Sequence, residues 1–284
     1  FEELQSSEFQ SRNETNEIYI PPGERLGDLV IEANGLKKAY GDRLLYDGLT
    51  FNLPKGGIVG IIGPNGAGKT TLFNMLSGIY RPDEGSIQLL GRQIIGLLPH
   101  QVAAMGVSRT FQNLQMFFNM SVLDNVMVGC HMRTSSGLIS AALRLPRVVR
   151  EERLSRRWAL EALEFCALQE LIGREAGALP YGALKRLEIA RALAVRPKLL
   201  LMDEPAAGLN DTETVEMQQL IRRICDAGVS VLLVEHNMGL VMQVSDRVLV
   251  LDYGSRLAEG TPQQVQNDPR VIEAYLGGEV QYAV

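Results

Sequence analysis

The sequence is poor in cysteine: Cys130, Cys166 and Cys225 are the only three in 284 residues. An odd number without close spacing makes neither a disulfide framework nor a zinc knuckle, and it points to a reducing cytosol. Cys130 stands beside His131 but lacks a second pair of ligands, so no metal site is read there. Long apolar runs are missing as well. No stretch of 18 uninterrupted apolar residues occurs, and the N-terminus is acidic where a secretory leader is basic and then apolar, so a spanning or exported chain is not expected. No long heptad segment is present, which argues against a coiled-coil ATPase of genome maintenance. Excess positive charge is also lacking. The net charge of −5 sits entirely in residues 1–28, where seven acids face Arg12 and Arg25, and the remainder balances at 26 against 26. Such a body has no bulk attraction for nucleic acid or anionic lipid, which leaves only local patches to bind either. The first residue is Phe and not Met, from which a start inside a longer reading frame, or trimming, is expected.

What is present is an ordinary globular balance, 46% hydrophobic and 21% charged, in a chain long enough for one large domain or two small ones. Residues 1–28 are polar, carry Pro21-Pro22-Gly23 and read as an acidic, linker-like tail. The domain is expected over 29–279. Within it, β-rich runs at 29–32 and 49–53 precede Ile58–Ile62, which is apolar at every position and so typical of a strand buried on both faces. Further runs at 199–202, 229–234 and 247–251 alternate with helical stretches such as 212–227, which implies α/β architecture around a parallel sheet. Between 113 and 179 strand signals fade. There Leu154, Trp158, Leu160, Leu163 and Cys166 fall near helical spacing, as in an inserted helical subdomain. Thr261 before Pro262 and Asp268 before Pro269 start two capped helices, the second running to Leu276 and stopping at Gly277-Gly278, and 280–284 is a short tail.

The chemistry starts at Gly63-Pro-Asn-Gly-Ala-Gly-Lys69-Thr70, a GxxxxGK[ST] pattern placed directly after a buried strand and opening a helix. Glycines at 63, 66 and 68 let backbone NH groups turn inward around phosphate oxygens, while the helix N-terminus adds positive dipole. Lys69 reaches the β and γ phosphates, and the Thr70 hydroxyl ligates magnesium. Asn65 and Thr71 complete the nucleotide-binding set. Apolar residues 199–202 then end in Asp203-Glu204, two carboxylates at the carboxyl edge of the sheet, where open α/β sheets bind ligands. Alone, such a pair is more often a helix cap. Beside a phosphate loop, Asp203 reads as a magnesium holder through water, and Glu204 as the base that polarises the attacking water.

Several elements in one order carry a resemblance: the phosphate loop, Gln112 in Thr110-Phe-Gln-Asn, the segment from Leu179-Pro-Tyr-Gly-Ala to Arg191, Asp203-Glu-Pro, and His236. Together they resemble an ABC ATPase. The resemblance implies a P-loop fold with a mainly parallel core, an antiparallel β part and the helical insertion. It implies ATP and magnesium as ligands, with Tyr40 stacking on adenine, Gln112 sensing magnesium and nucleotide, and His236 contacting the γ phosphate. Pro180 and Gly182 of the Leu179 segment would meet the ATP of a second ATPase subunit. Each has a plain alternative, an exposed loop aromatic for Tyr40, a surface amide for Gln112 and a structural histidine for His236. The segment also departs from the LSGGQ-like pattern, since Pro180 replaces serine and Ala183 replaces glutamine. A hydroxyl contact to phosphate is lost, whereas Pro180 suits a helix start and Gly182 still permits close backbone approach.

From about Asn74 onward, roughly three quarters of the chain, the sequence resembles the ATP-binding subunit of branched-chain amino acid importers. The marks are Gly106-Val-Ser-Arg-Thr-Phe-Gln-Asn113, Arg186-Leu-Glu-Ile-Ala-Arg191, Ala206-Ala-Gly-Leu-Asn210, Glu235-His-Asn-Met238 and Ala274-Tyr-Leu-Gly277. That implies a peripheral ATPase on the cytoplasmic face of the inner membrane, partnered by a second cassette and by permease subunits. The permease would dock on 113–129, with Met116, Phe117, Phe118, Met120 and Met127; the plain alternative is that these side chains are core. Residues 1–73, by contrast, resemble the linker and second module of an ABC-F translation factor, through Arg12-Asn-Glu-Thr-Asn-Glu17, Ile20-Pro-Pro-Gly-Glu-Arg-Leu-Gly-Asp28 and Gly41-Asp-Arg-Leu-Leu45. A mosaic with a seam in the helix after the phosphate loop is therefore expected, and a ribosome-associated ATPase is the alternative function. No nucleic-acid partner is expected unless that alternative holds.

Overall fold

The structure, a computed structural model, describes residues 29–41, 43–133 and 146–276. The tails at 1–28 and 280–284 and the Gly277-Gly278 stop lie outside the described residues. Among the described residues, ten strands form two sheets. The first is antiparallel, in the order β2-β1-β4-β5, from β1 (Leu29–Tyr40), β2 (Arg43–Pro54), β4 (Glu84–Leu89) and β5 (Arg92–Gln93). The second has the order β10-β9-β3-β8-β7-β6, from β3 (Ile58–Ile62), β6 (Val107–Arg109), β7 (Leu199–Asp203), β8 (Ser230–Val234), β9 (Arg247–Asp252) and β10 (Ser255–Gly260). All its pairings are parallel except β10 with β9.

Strands β1 and β2 run well past the expected 29–32 and 49–53. Their ladder carries register shifts, among them one between Ala33 and Leu36, and each shift breaks the two-residue alternation that marks a strand in sequence. In the parallel sheet the reading by apolar run holds, and the structure supplies its reason. Leu200, Met202, Val231, Leu233, Val248 and Val250 belong to one hydrophobic core, while Leu199, Leu201, Leu232, Val234, Leu249 and Leu251 belong to the other. Every second side chain crosses the sheet, so both parities must be apolar.

The helices sort between these two cores. Helix α1 (Lys69–Leu76) buries Leu72, Phe73, Met75 and Leu76 in the core shared with the antiparallel sheet, and α2 (Pro99–Ala104) adds Val102 to it. The other core holds α3 (Val122–Gly129), α4 (Pro146–Phe165), α5 (Tyr181–Leu193), α6 (Asp211–Asp226) and α7 (Met238–Val244). Helix α4 covers Leu154–Leu163, where helical spacing was expected, with its most buried face offset from that stripe. Ser155, Ala159, Ala162 and Leu163 are the buried positions, continued by Cys166, whereas Leu154 is exposed and Trp158 and Leu160 are half-buried. Small residues take the inner face because α3 and α5 pack closely there; Trp158 packs on the edge of the same core, with the guanidinium groups of Arg133 and Arg196 over its ring. At the end of the described chain, α8 (Pro262–Gln266) and α9 (Pro269–Val271) carry the expected caps on Thr261 and Asp268, and α9 passes into a π turn at Ile272–Leu276.

Candidate functional site

Because β3, β6, β7 and β8 are parallel, the residues that follow them emerge at one edge of the sheet. They are the phosphate loop, the Thr110–Gln112 segment, Asp203-Glu204 and Glu235-His236. Tyr40, Asn65, Gly66, Gly68, Lys69, Thr70, Thr71, Gln112, Glu204 and His236 line one cavity of about 510 Å³ there. Ten residues read from sequence as nucleotide-binding or catalytic are thus brought together. Gly63 does not line the cavity; its carbonyl accepts from the Lys69 ammonium at 2.5 Å. Pro180 and Gly182 do not reach this cavity; they open α5, with Pro180 as an N-cap that makes no side-chain bond.

The loop conformation demands glycine. Gly66 has φ 83° and Gly68 has φ 100°, and a Cβ at residue 68 would lie 2.3 Å from the hydroxyl of Tyr46. That buried tyrosine donates to the Gly68 carbonyl, a short bond that ties β2 to the start of α1. Lys69 is itself buried and donates to Gly63 O and, at 3.3 Å, to Pro64 O. Burial pulls its pKa below the ordinary lysine value, against the charges of Glu204 and Asp203, which favour its ammonium form.

Glu204 adopts φ 49°, a conformation uncommon outside glycine, with its NH bonded to Val234 O at 2.8 Å. Its carboxylate is held from two sides. Gln112 Nε2 donates to Oε2 at 3.1 Å, and His236 Nε2 lies 3.3 Å from Oε1. Buried Lys185, on α5, donates to the Glu204 carbonyl at 3.3 Å. Asp203 is buried and does not line the cavity. Arg109 Nη2 meets its Oδ2 at 3.1 Å, while Nη1 donates to Asn74 Oδ1 at 2.6 Å and the guanidinium lies over the rings of Phe73 and Phe111. Burial raises the Asp203 pKa, and Arg109 opposes the rise.

Tyr46, Arg109, Lys185, Glu188 and Glu235 are absent from the sequence-derived site. Glu188 on α5 accepts from Phe111 N at 3.0 Å, and Arg191 donates to the Gln115 carbonyl, so one helix grips the Gln112 segment on both flanks. Several of these residues stand inside the recognised motifs, yet their roles depend on backbone groups far away in sequence. The one available signal was chemical: charged residues inside an apolar stretch, as in Leu187-Glu188-Ile189-Ala190, need buried partners.

A glycine-lined loop holding a buried lysine beside a carboxylate, an amide and an imidazole has the form of a P-loop site. The sequence pattern of "ABC transporter" matches residues 46–207, and that of "Branched-chain amino acid ATP-binding cassette transporter" matches 255–281. The chain is 43% identical over 249 residues to the high-affinity branched-chain amino acid transport ATP-binding protein BraF of Pseudomonas aeruginosa, covering 87% of this chain and 98% of that one. It is 44% identical over 251 residues, with the same coverage, to the corresponding protein LivG of Escherichia coli. In three dimensions it matches the ADP conformation of an ATP-binding cassette of an ABC transporter, with TM-score 0.76, 30% identity, and 88% and 99% of the two chains covered. The chain belongs to the ABC transporter family, as an ATP-hydrolysing subunit of the transporter. A match covering 87% of the chain reaches well into residues 1–73, and these relatives give no support to the translation-factor alternative.

Proposed function

We propose that this chain is the ATP-binding subunit of an importer for branched-chain amino acids, peripheral on the cytoplasmic face of the membrane. Among the described residues no helix is long and apolar enough to cross a membrane, which fits a subunit that relies on a separate permease. The solute class rests on the names of the relatives and on the 255–281 match. The domain is assigned to 29–279, with 113–179 as its helical insertion.

The observation that carries the catalytic reading is the carboxylate of Glu204 held between Gln112 and His236 at the mouth of the phosphate loop. In this reading Lys69 exchanges its loop carbonyls for phosphate oxygens, Tyr40 takes the adenine, Glu204 accepts a proton from the attacking water, and His236 meets the γ phosphate. Magnesium would be held by oxygen donors, the Thr70 hydroxyl and the Gln112 amide oxygen lining the cavity and the buried Asp203 carboxylate that does not line it. Magnesium, when bound, neutralises phosphate charge. The second wall of the site is the α5 N-terminus of a second cassette, with Pro180 and Gly182. The permease docks at a groove of about 840 Å³ lined by Ile79, Val102, Met116, Phe117 and Val128, beside exposed Phe118. Met116 is buried and Met120 and Met127 are half-buried, so the phenylalanines carry the exposed part of this face.

The test is Glu204→Gln, which removes the proton acceptor and keeps the shape. Nucleotide binding should persist, turnover should fall at least about 100-fold, and ATP should trap a stable dimer in size-exclusion chromatography. Full turnover would remove Glu204 from the role.

A further inference from the structure

Glu235 is a carboxylate at 3% exposure, and among the described residues no cation pairs with it. Backbone amides meet it instead. Oε1 accepts from Ala206 N at 2.8 Å, while Oε2 accepts from His236 N at 2.9 Å and from Asn237 N at 3.2 Å. The first amide lies two residues beyond Glu204, in the Ala206–Asn210 loop after β7; the other two lie in the turn after β8, where Asn237 caps α7 by accepting from Leu240 N. One side chain therefore clasps two loops whose own side chains, Glu204 and His236, meet at 3.3 Å. The circuit closes through Glu204 N bonded to Val234 O, one residue before Glu235.

Resting on the assignment of Glu204 and His236 above, we infer that Glu235 is a positioning residue that sets His236 against Glu204 by clasping both loops. A carboxylate suits this task because both of its oxygens accept; a glutamine offers one acceptor, and its amide hydrogens would face the NH of the other loop. The clasp also reaches residues 206–210 through the Ala206 amide.

The experiment compares full-length wild type, Glu235→Gln, His236→Ala and their double variant for ATP turnover, binding of a fluorescent ATP analogue with magnesium, and melting temperature. Glu235→Gln should keep analogue affinity and KM within about twofold while kcat falls roughly tenfold to hundredfold, the cost of misplacing a reacting group. The double variant should be no slower than His236→Ala, because Glu235 acts through His236. A kcat within twofold of wild type, or losses that multiply in the double variant, overturns the inference. If Glu235→Gln does not fold, Glu235→Asp carries the same comparison, since it retains both acceptors on a stem one methylene shorter. Glu204→Gln is measured alongside. Full turnover there overturns the site on which the clasp depends, whereas a dead Glu204→Gln with an unimpaired Glu235→Gln removes the clasp alone.

Discussion

Glu188 offers a perturbation whose sign reverses between two substitutions. Its carboxylate is 3% exposed and accepts from Phe111 N, next to Gln112. Burial raises its pKa, outweighing the Phe111 amide and the charges of Lys185 and Arg191, which favour the ionised form. A group whose folded pKa exceeds its unfolded one contributes stability that is complete below the unfolded value and is lost as pH rises through the folded value. At pH 8 the ionised side chain is therefore a liability of the native state. Glu188→Gln keeps an acceptor for Phe111 N without the charge, so it should melt above wild type at pH 8, and the gap should close as the pH falls through the raised carboxyl range. Glu188→Ala instead strands a buried amide, at a cost of about 1–3 kcal/mol, or roughly 2–12 °C in Tm for a domain of this size. Scanning calorimetry or fluorescence melts across pH would decide it. A Gln variant below wild type by the same margin at every pH would refute the burial argument. In turnover assays the Gln variant should surpass the Ala variant, since only it still anchors the Gln112 segment.

Other outcomes follow from the same geometry. Arg109→Met leaves the buried Asp203 without its counter-ion, which should cost about 3–5 kcal/mol, and magnesium with ATP should raise its melting temperature more than that of wild type because bound cation replaces the missing charge. Equal gains in the two proteins would sever Arg109 from Asp203. Pro180→Ser supplies a side-chain cap that α5 lacks, worth about 1 kcal/mol to the helix, and a hydroxyl at the proposed second wall. Its ATPase rate should rise, and an unchanged or lower rate in purified protein counts against that wall. Phe117 is 46% exposed, and its backbone is held by the buried Asn125, which accepts from Phe117 N and donates to Phe117 O, each at 3.0 Å. Phe117→Asp should impair assembly with the permease in pull-downs; normal assembly and coupling would rule out the docking face.

The strand, loop and helix around the phosphate-loop pattern were legible in the linear order because they are local. A glycine-rich loop works only between a strand and a helix, so Gly63 to Thr70 carries its own context, and Ile58–Ile62 announces a two-sided strand by leaving no polar position. Strand parity, helix caps at Thr261 and Asp268, and the carboxylates after residues 199–202 are likewise short-range signals. The length of β1 was hidden by its register shifts, and the inner face of α4 by small residues that look neutral in a periodicity count. What folding alone decided is the wiring. The guanidinium of Arg109 on Asp203, the carboxylate of Glu188 on Phe111 N, Tyr46 beneath Gly68 and the three amides around Glu235 join segments far apart in the chain or bond to main-chain atoms, which every residue shares. Such a donor or acceptor leaves no mark on residue identity at its own position. Only the packed sheet edge, with four parallel strands delivering their ends together, determines which amide each buried charge finds.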